Sequence, residues 1–568
     1  MIKSKTLIGI VLYGGVGIYA IVFAMRQIIF SGFRLLPGDF GDARLIAFLT
    51  SHWRMVFTGQ ADWLSPIMFY PLTGHLGYTD TVVLFGLPHA LLGSVGVSSF
   101  TSIQIMLIVF AGIGFAFTAI LLRQRFALPH WACALGGALF TTANNIYLKG
   151  GHLQMYAVYL VPLFLYWISG LAIALRAGDR GALMRNGICL SIGLPVLMYH
   201  SFYIAWFLAF LALLYMAVLA WRTPLAAIRV WLVETGCRHG RDLLKLAAIF
   251  VLSLIPFLVT YMPVVMEFGG RPSGEVKFYQ PKAIDILNVG RENLLWGRAV
   301  KHYIPIEGRN VGEVWTGFGL FTLFTFLVSL FFLRRSNRLG EPKEAAERFI
   351  EEKRQSSGLD IAVMGVAVLV CWVLVFNIDG IFLWKYVHRL VPGASAIRAV
   401  GRIQLLVNLP VIIIGLCGLV RLVTYARTVA KSSTKWILFA LVGLLCVGLL
   451  AEQYNLRNHS SLDVVDTWRE TMAFPPPPAQ CQVFYVAPPF PKNRLPWWKI
   501  QIDALMLAQR FGVPTVNGYN GQFPKGWGLM NVYAHNYESK VADWLLANGV
   551  KKTVCALKMG DKVWRIKS

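Results

Sequence analysis

"DTVVLFGLPHALLGSVGV", residues 80–97, decides how the rest of the chain is threaded. The run is apolar but short, and Pro88 and His89 interrupt it. If it crossed a bilayer, every later connection would change sides, and "RQRF" (residues 123–126) would face outward. Connections on the cytoplasmic side of membrane proteins are enriched in Lys and Arg. With 80–97 kept on one side as an interfacial or re-entrant helix, and the N-terminus cytoplasmic, "RQRF" faces inward. So do "RAGDRGALMR" (176–185), "RTPLAAIRVWLVETGCRHGRDLLK" (222–245), "RRSNRLGEPKEAAERFIEEKRQ" (334–355) and "ARTVAKSSTK" (426–435). The outward segments 25–100, 148–155, 265–315 and 379–402 and the tail from 454 carry few clustered positive charges. The charge rule selects this threading.

The composition agrees. Of 568 residues, 56% are hydrophobic and 14% charged, against roughly a quarter charged in a soluble chain. The mean hydropathy is +0.58. Apolar runs near the ~20 residues needed to cross fall at 6–24, 101–122, 131–147, 156–175, 183–197, 199–221, 246–264, 316–333, 361–378, 403–422 and 436–450. They predict about eleven transmembrane helices, a transmembrane domain over 1–453 and a small α/β domain over 454–568. No cleavage site follows the first run before Arg26, so it reads as a retained helix. The net charge of +25 would suggest nucleic acid in a soluble protein. Here the basic connections account for it, and no nucleic-acid partner is expected. No Cys/His spacing suggests zinc. Cys481 and Cys555 both lie in the tail, where a disulfide needs them close.

The first outward segment opens with "LPGDFGDARL", residues 36–45. Leu45, Leu49, Trp53 and Val56 recur at helical spacing, with Arg44, Ser51 and Arg54 on another face, which predicts an amphipathic helix lying on the membrane surface. Asp42 reads as its N-cap. Asp39 lies outside that helix, and Gly38 and Gly41 allow a turn that brings the two carboxylates together. A turn with a cap, and an acid–base or metal site, are both consistent with the pair. "DWLSPIMFYPLTGHLGYTD" (62–80) places Tyr70 and Asp80 in an extended stretch, with Asp80 a candidate cap for the helix that follows. "LKGGHLQMY" clusters Lys149, His152 and Gln154; "MYHSFY" places His200 and Tyr203 at the same surface. Glu267, Arg271, Glu275 and Glu313 are candidates whose plain reading is solvation or ion pairing. Arg398 and Arg402 are four apart before a span, which suits a phosphate at headgroup depth or simple snorkelling. "NGYNGQFPKGWG" (517–528), with Asn520, fits sugar rings or plain turns. In the tail, "CQVFYVA", "PTVNG", "TVCALK" and "KVWRI" read as strands and "WWKIQIDALMLAQRF" and "YESKVADWLLANGV" as helices.

"GDFGD", the helix "ARLIAFLTSHW", the "FYP…YTD" segment, and then "GHLQ", "PGASAIRAVGR" and "NGYNGQFP" in this order resemble the GT-C superfamily of integral-membrane glycosyltransferases, in a bacterial branch. The resemblance covers the arrangement of the whole chain. It implies transfer of a sugar from a polyprenyl-phosphate donor to a lipid, glycan or protein acceptor on the periplasmic face of a bacterial inner membrane. It implies inversion in one displacement, with an aspartate of the first outer loop as general base or as ligand of a divalent metal such as Mg or Mn. That carries over to Asp39 or Asp42 only. Asp39 is preferred because Asp42 has capping to do. Arg398, Arg402, Lys149 and His152 would hold the donor phosphate; Asp80, Tyr70, Gln154, His200, Arg271 and Asn520 would contact substrate. The chain lacks a WWD-like oligosaccharyltransferase signature and a nucleotide-binding Gly-rich motif. A lipid or glycan transporter would show related halves and mid-membrane charges; a non-catalytic scaffold would leave the acidic pair only structural duties.

Overall fold

The computed structural model describes residues 4–305, 311–334, 357–428, 432–456, 460–488 and 495–567. The basic connection 334–355 lies outside them after its first residue, as do residues 429–431. Each apolar run of the sequence carries a helix. Seven helices among the described residues are long and apolar enough to cross a membrane, and the chain is a multi-pass membrane protein. Val11–Ala24, Leu320–Phe332 and Ile361–Val375 are shorter apolar helices. Segment 80–97 folds as the helix Val83–Leu92 and a 3-10 turn, Gly93–Val95, shorter than a crossing requires.

Local chemistry sets several boundaries. Ser98, Asp179 and Asp360 cap the helices that follow them by accepting backbone N–H bonds, as short polar side chains do at an N-terminus. The run 131–147 is not one helix. It breaks between His130–Thr141 and Asn144–Leu148, because the asparagines take partners outside the helix. Asn144 N–H donates to Gln453 Oε1 (3.0 Å), and Asn408 Nδ2 donates to Asn145 Oδ1 (2.6 Å). The run 246–264 is part of a longer helix, Leu225–Phe268, of 44 residues. At 1.5 Å per residue it is ~66 Å long, about twice the hydrocarbon thickness; hydropathy marked its apolar part and missed the basic continuation. The helix Gln404–Thr428 is the most enclosed, packing against Leu320–Arg334 and Ile361–Val375.

The tail forms a three-stranded sheet. Strand β3 (Val483–Ala487) pairs in parallel with β4 (Val554–Lys558), and β4 pairs antiparallel with β5 (Val563–Lys567). Cys481 and Cys555 form a disulfide, Cα atoms 5.7 Å apart. "PTVNG" is not a full strand: Thr515 makes only a single parallel bridge to Phe484.

The tail also reaches back to the start of the chain. Strand β1 (Leu35–Pro37) pairs antiparallel with β2 (Ser461–Asp463), Leu36 opposite Leu462. Gly38 N–H continues the ladder to Ser460 O (3.0 Å). The helix Trp497–Phe511 packs on the helix Asp42–Phe57. That helix does not lie on a surface as its polar face suggested. Ala43 to Trp53 are all buried. Arg44, expected to be solvated, is 1% exposed, and its Nη1 donates to Asp503 Oδ1 (2.6 Å). Gln509 Nε2 donates to Ser51 Oγ (2.5 Å). The polar face was polar because another domain covers it. Asp503→Ala is expected to destabilise by about 3–5 kcal/mol, since it leaves Arg44 buried and unpaired. Thermal unfolding of the purified protein measures this; an unchanged midpoint would contradict it.

Candidate active site

The motif "GDFGD" sits directly after β1. Gly38 has φ 129°, a backbone that L side chains rarely adopt, and a Cβ there would meet Ala43 Cβ at 2.8 Å. Glycine is required at that position. The turn that follows reverses the expected division of labour. Asp39 Oδ1, not Asp42, accepts the backbone N–H groups at the helix start, from Gly41 (2.9 Å) and Asp42 (2.6 Å). Asp42 is the first residue of the helix, so its side chain points away from the cap position and is free for tertiary contacts. Asp39 Oδ2 makes no hydrogen bond among the described residues, and Asp39 is exposed.

Asp42 heads a chain of ionisable groups. Its Oδ2 lies 3.0 Å from His152 Nδ1. Arg402 Nη2 donates to His152 Nε2 (2.9 Å). The same His152 Nε2 lies 3.4 Å from Glu313 Oε1. Arg402 also holds Glu313 through two bonds, Nε to Oε2 at 2.9 Å and Nη2 to Oε1. Lys149 Nζ donates to Glu313 Oε2 (3.2 Å) and to Gly312 O. Lys149 and Arg402 are buried, with side chains 2% and 7% exposed, so they are electrostatic supports and not open ligands. The surface of the cluster is Asp42 and His152, 33% and 27% exposed.

The carboxylates are tuned apart. Although Asp39 keeps solvent access, the protein packed around its carboxyl desolvates it and raises it, and the Asp42 charge raises it further, against the two backbone N–H bonds. Burial would raise Asp42 too, but His152, Arg402 and Arg398 together hold it below the usual carboxylate range. Burial would likewise raise Glu313, yet Arg402 and Lys149 hold it well below its ordinary value. Burial lowers Lys149 to about 8 despite Glu313.

The other expected residues divide. Arg398 and Arg402 do not share a helical face: Ile397 to Ala399 are non-helical, between 3-10 turns at Ala394–Ala396 and Val400–Ile403. Arg398 is the open one, 38% exposed, with Nη1 3.4 Å from Glu275 Oε1. Arg271 joins the same carboxylate (3.6 Å) and donates to Gly521 O (3.1 Å), tying the "NGYNGQFP" loop to this edge. Asn520 Oδ1 accepts from Gly521 N–H (2.8 Å), and its buried Nδ2 has no partner among the described residues. Asp80 does not cap the helix beside it. It accepts from Phe202 N–H (3.0 Å), at the start of Phe202–Arg222; Gln154 hydrogen-bonds it and its carboxyl is raised by burial. His200 is fully buried between Phe85 and Phe110, its Nδ1 accepting Leu84 N–H (3.2 Å), so it is a packing residue. Tyr70 docks the first segment on the tail, its carbonyl accepting from Trp544 Nε1 (2.9 Å).

Sequence reasoning named Glu313 only as a loop acid and missed the tail's contribution. Trp498 lies over the motif: a Cβ built on Gly41 would stand 3.4 Å from its ring and 3.5 Å from Asp39 Oδ1. Tyr519 feels Asp42, Asp39 and Arg398, and burial together with the two carboxylates raises its hydroxyl. No local spacing rule connects residues over 450 positions apart. Among the described residues, no three His, Cys, Asp or Glu are grouped to hold a metal.

No protein-family model matches the chain, and no curated protein matches it. Among solved structures, the chain is similar to the apo form of the oligosaccharyltransferase of Archaeoglobus fulgidus. The likeness covers 96% of this chain and 69% of that one, at 10% identity and a TM-score of 0.50. At that identity it is a likeness of fold alone.

Proposed function

We propose that the protein transfers a sugar from a polyprenyl-phosphate donor to an acceptor hydroxyl at the outer face of a bacterial inner membrane. The observation that carries this is the pair of unlike carboxylates side by side at one turn: Asp39 raised, with one free oxygen, and Asp42 depressed and fixed by His152. Environments that push two acids apart assign their roles. Asp39 Oδ2 takes the acceptor proton. The acceptor oxygen bonds to the anomeric carbon, the bond from that carbon to the phosphate oxygen breaks, and its electron pair leaves on the phosphate. Arg398 is the accessible cation for that phosphate, with the Arg402–Glu313–Lys149 frame holding Asp42 and His152 in place behind it. The free oxygens of Asp39 and Asp42 also suit Mg or Mn, which bind through one or two carboxylates plus substrate phosphate; such an ion would neutralise charge on the leaving group.

The acid limb of the rate profile then belongs to Asp39 and lies above the ~3.9 of an ordinary aspartate. Asp42→Asn removes a neighbouring negative charge, which lowers the Asp39 pKa. The acid limb is expected to move to lower pH in that variant. Purified protein with a panel of polyprenyl-phosphate sugars, assayed for transfer and donor hydrolysis, tests the reading. Absence of both activities across the panel would overturn it, and a limb that moves upward in Asp42→Asn would remove Asp39 as the base.

A further inference from the structure

The tail places a row of half-buried aromatic rings along the acidic motif. Trp498 packs on Gly41 beside Asp39 Oδ1. Its half-buried indole N–H makes no hydrogen bond among the described residues. Tyr519 stands 6.5 Å from Trp498 and Trp497 6.4 Å from Tyr519, centroid to centroid. Phe40 braces Trp498 edge to face at 6.5 Å. Phe40 itself carries cations, with Arg44 Cζ 3.8 Å and Lys499 Nζ 4.1 Å from its ring. The row is fixed to the motif by the Arg44–Asp503 pair and by β1–β2.

We propose that Trp498 and Tyr519 form the acceptor subsite and that the acceptor is a saccharide, its ring face laid on the indole and a hydroxyl directed at Asp39. This rests on the transferase reading above. Sites of this kind combine aromatic faces with a few fixed polar groups, and the unused indole N–H supplies an edge donor for a sugar hydroxyl. A peptide acceptor taken up by strand addition would need free main-chain groups along a strand edge. The strand nearest the motif does not offer one. β1 is paired to β2, Leu35 N–H donates to Ser31 Oγ (2.9 Å), and Leu35 O accepts from Gln104 Nε2 (3.0 Å).

The test uses the full-length protein in detergent and methyl glycosides and disaccharides as probes, with binding read by saturation-transfer NMR. Wild type is expected to bind at least one of the saccharides. Trp498→Ala should weaken that binding about tenfold, Trp498→Phe, which keeps a ring face but loses the N–H donor, should fall between the two, and Trp231→Ala, on the far basic stretch of the long helix, should leave it unchanged. In transfer assays, the acceptor KM should rise in Trp498→Ala by more than kcat falls. The proposal is overturned if no saccharide binds, if Trp498→Ala binds as wild type does, or if Ser/Thr peptides are accepted while saccharides are not. Failure of the parent reading looks different: saccharide binding and its loss in Trp498→Ala persist, while no polyprenyl-phosphate sugar is consumed.

Discussion

Asp39→Asn is expected to lower glycosyl transfer by about 10²- to 10⁴-fold, the usual contribution of a positioned general base. The substitution separates chemistry from architecture. An asparagine oxygen can accept the N–H bonds of Gly41 and Asp42 that Asp39 Oδ1 now holds, and asparagine is as good a cap as aspartate. The turn, the helix start and the contact with Trp498 should therefore survive. What is lost is the proton acceptor at the free oxygen. The measurement is the transfer rate alongside the unfolding midpoint. A rate near wild type with an unchanged midpoint would leave Asp39 with the structural duty alone.

Glu313→Gln should act on stability first. Glu313 is the anion between two buried cations, Arg402 and Lys149. Removing one partner from a buried ion pair costs about 3–5 kcal/mol, because the remaining charges are left without compensation. Replacing Lys149 by Met in the same chain removes one orphaned charge and should recover part of the loss, a coupling that a double-mutant cycle isolates. Full additivity of the two substitutions would show that they do not share a network. The pH sign follows from the depressed carboxyl. Glu313 contributes stability that is complete above the ordinary glutamate range, ~4.3, and is lost as pH falls through its lower folded value. The variant should lack that acid-side loss.

Much of the membrane part was legible because hydropathy and charge act along the chain. The position of each apolar run and the short, Pro-interrupted nature of 80–97 needed no tertiary knowledge. The breaks were less visible. Asn144 and Asn145 divide a run that looks continuous, for the sake of partners at Gln453 and Asn408. The site was legible in part. "GDFGD" and "GHLQ" stood out as polar residues at helix ends, and the structure joins them through Asp42 and His152. The capping duty was given to the wrong aspartate because it was judged from position: the turn at Gly38 lets Asp39 reach forward over Gly41. The amphipathic pattern of 42–57 was read correctly as one apolar and one polar face. Its partner was not, because periodicity shows that a face is polar and not whether water or Asp503 meets it.

The pairing of β1 with β2 has a bearing on when the protein becomes competent. The acidic turn is synthesised well before the parts that hold it: the strand that anchors it, the aspartate that neutralises Arg44 and the ring over Gly41 all lie beyond residue 460. Until that later part has been delivered to the same side of the membrane, the turn has neither its ladder nor its cover. A chain stalled or clipped between the last membrane helix and residue 460 would be inserted with the turn unanchored and Arg44 unpaired.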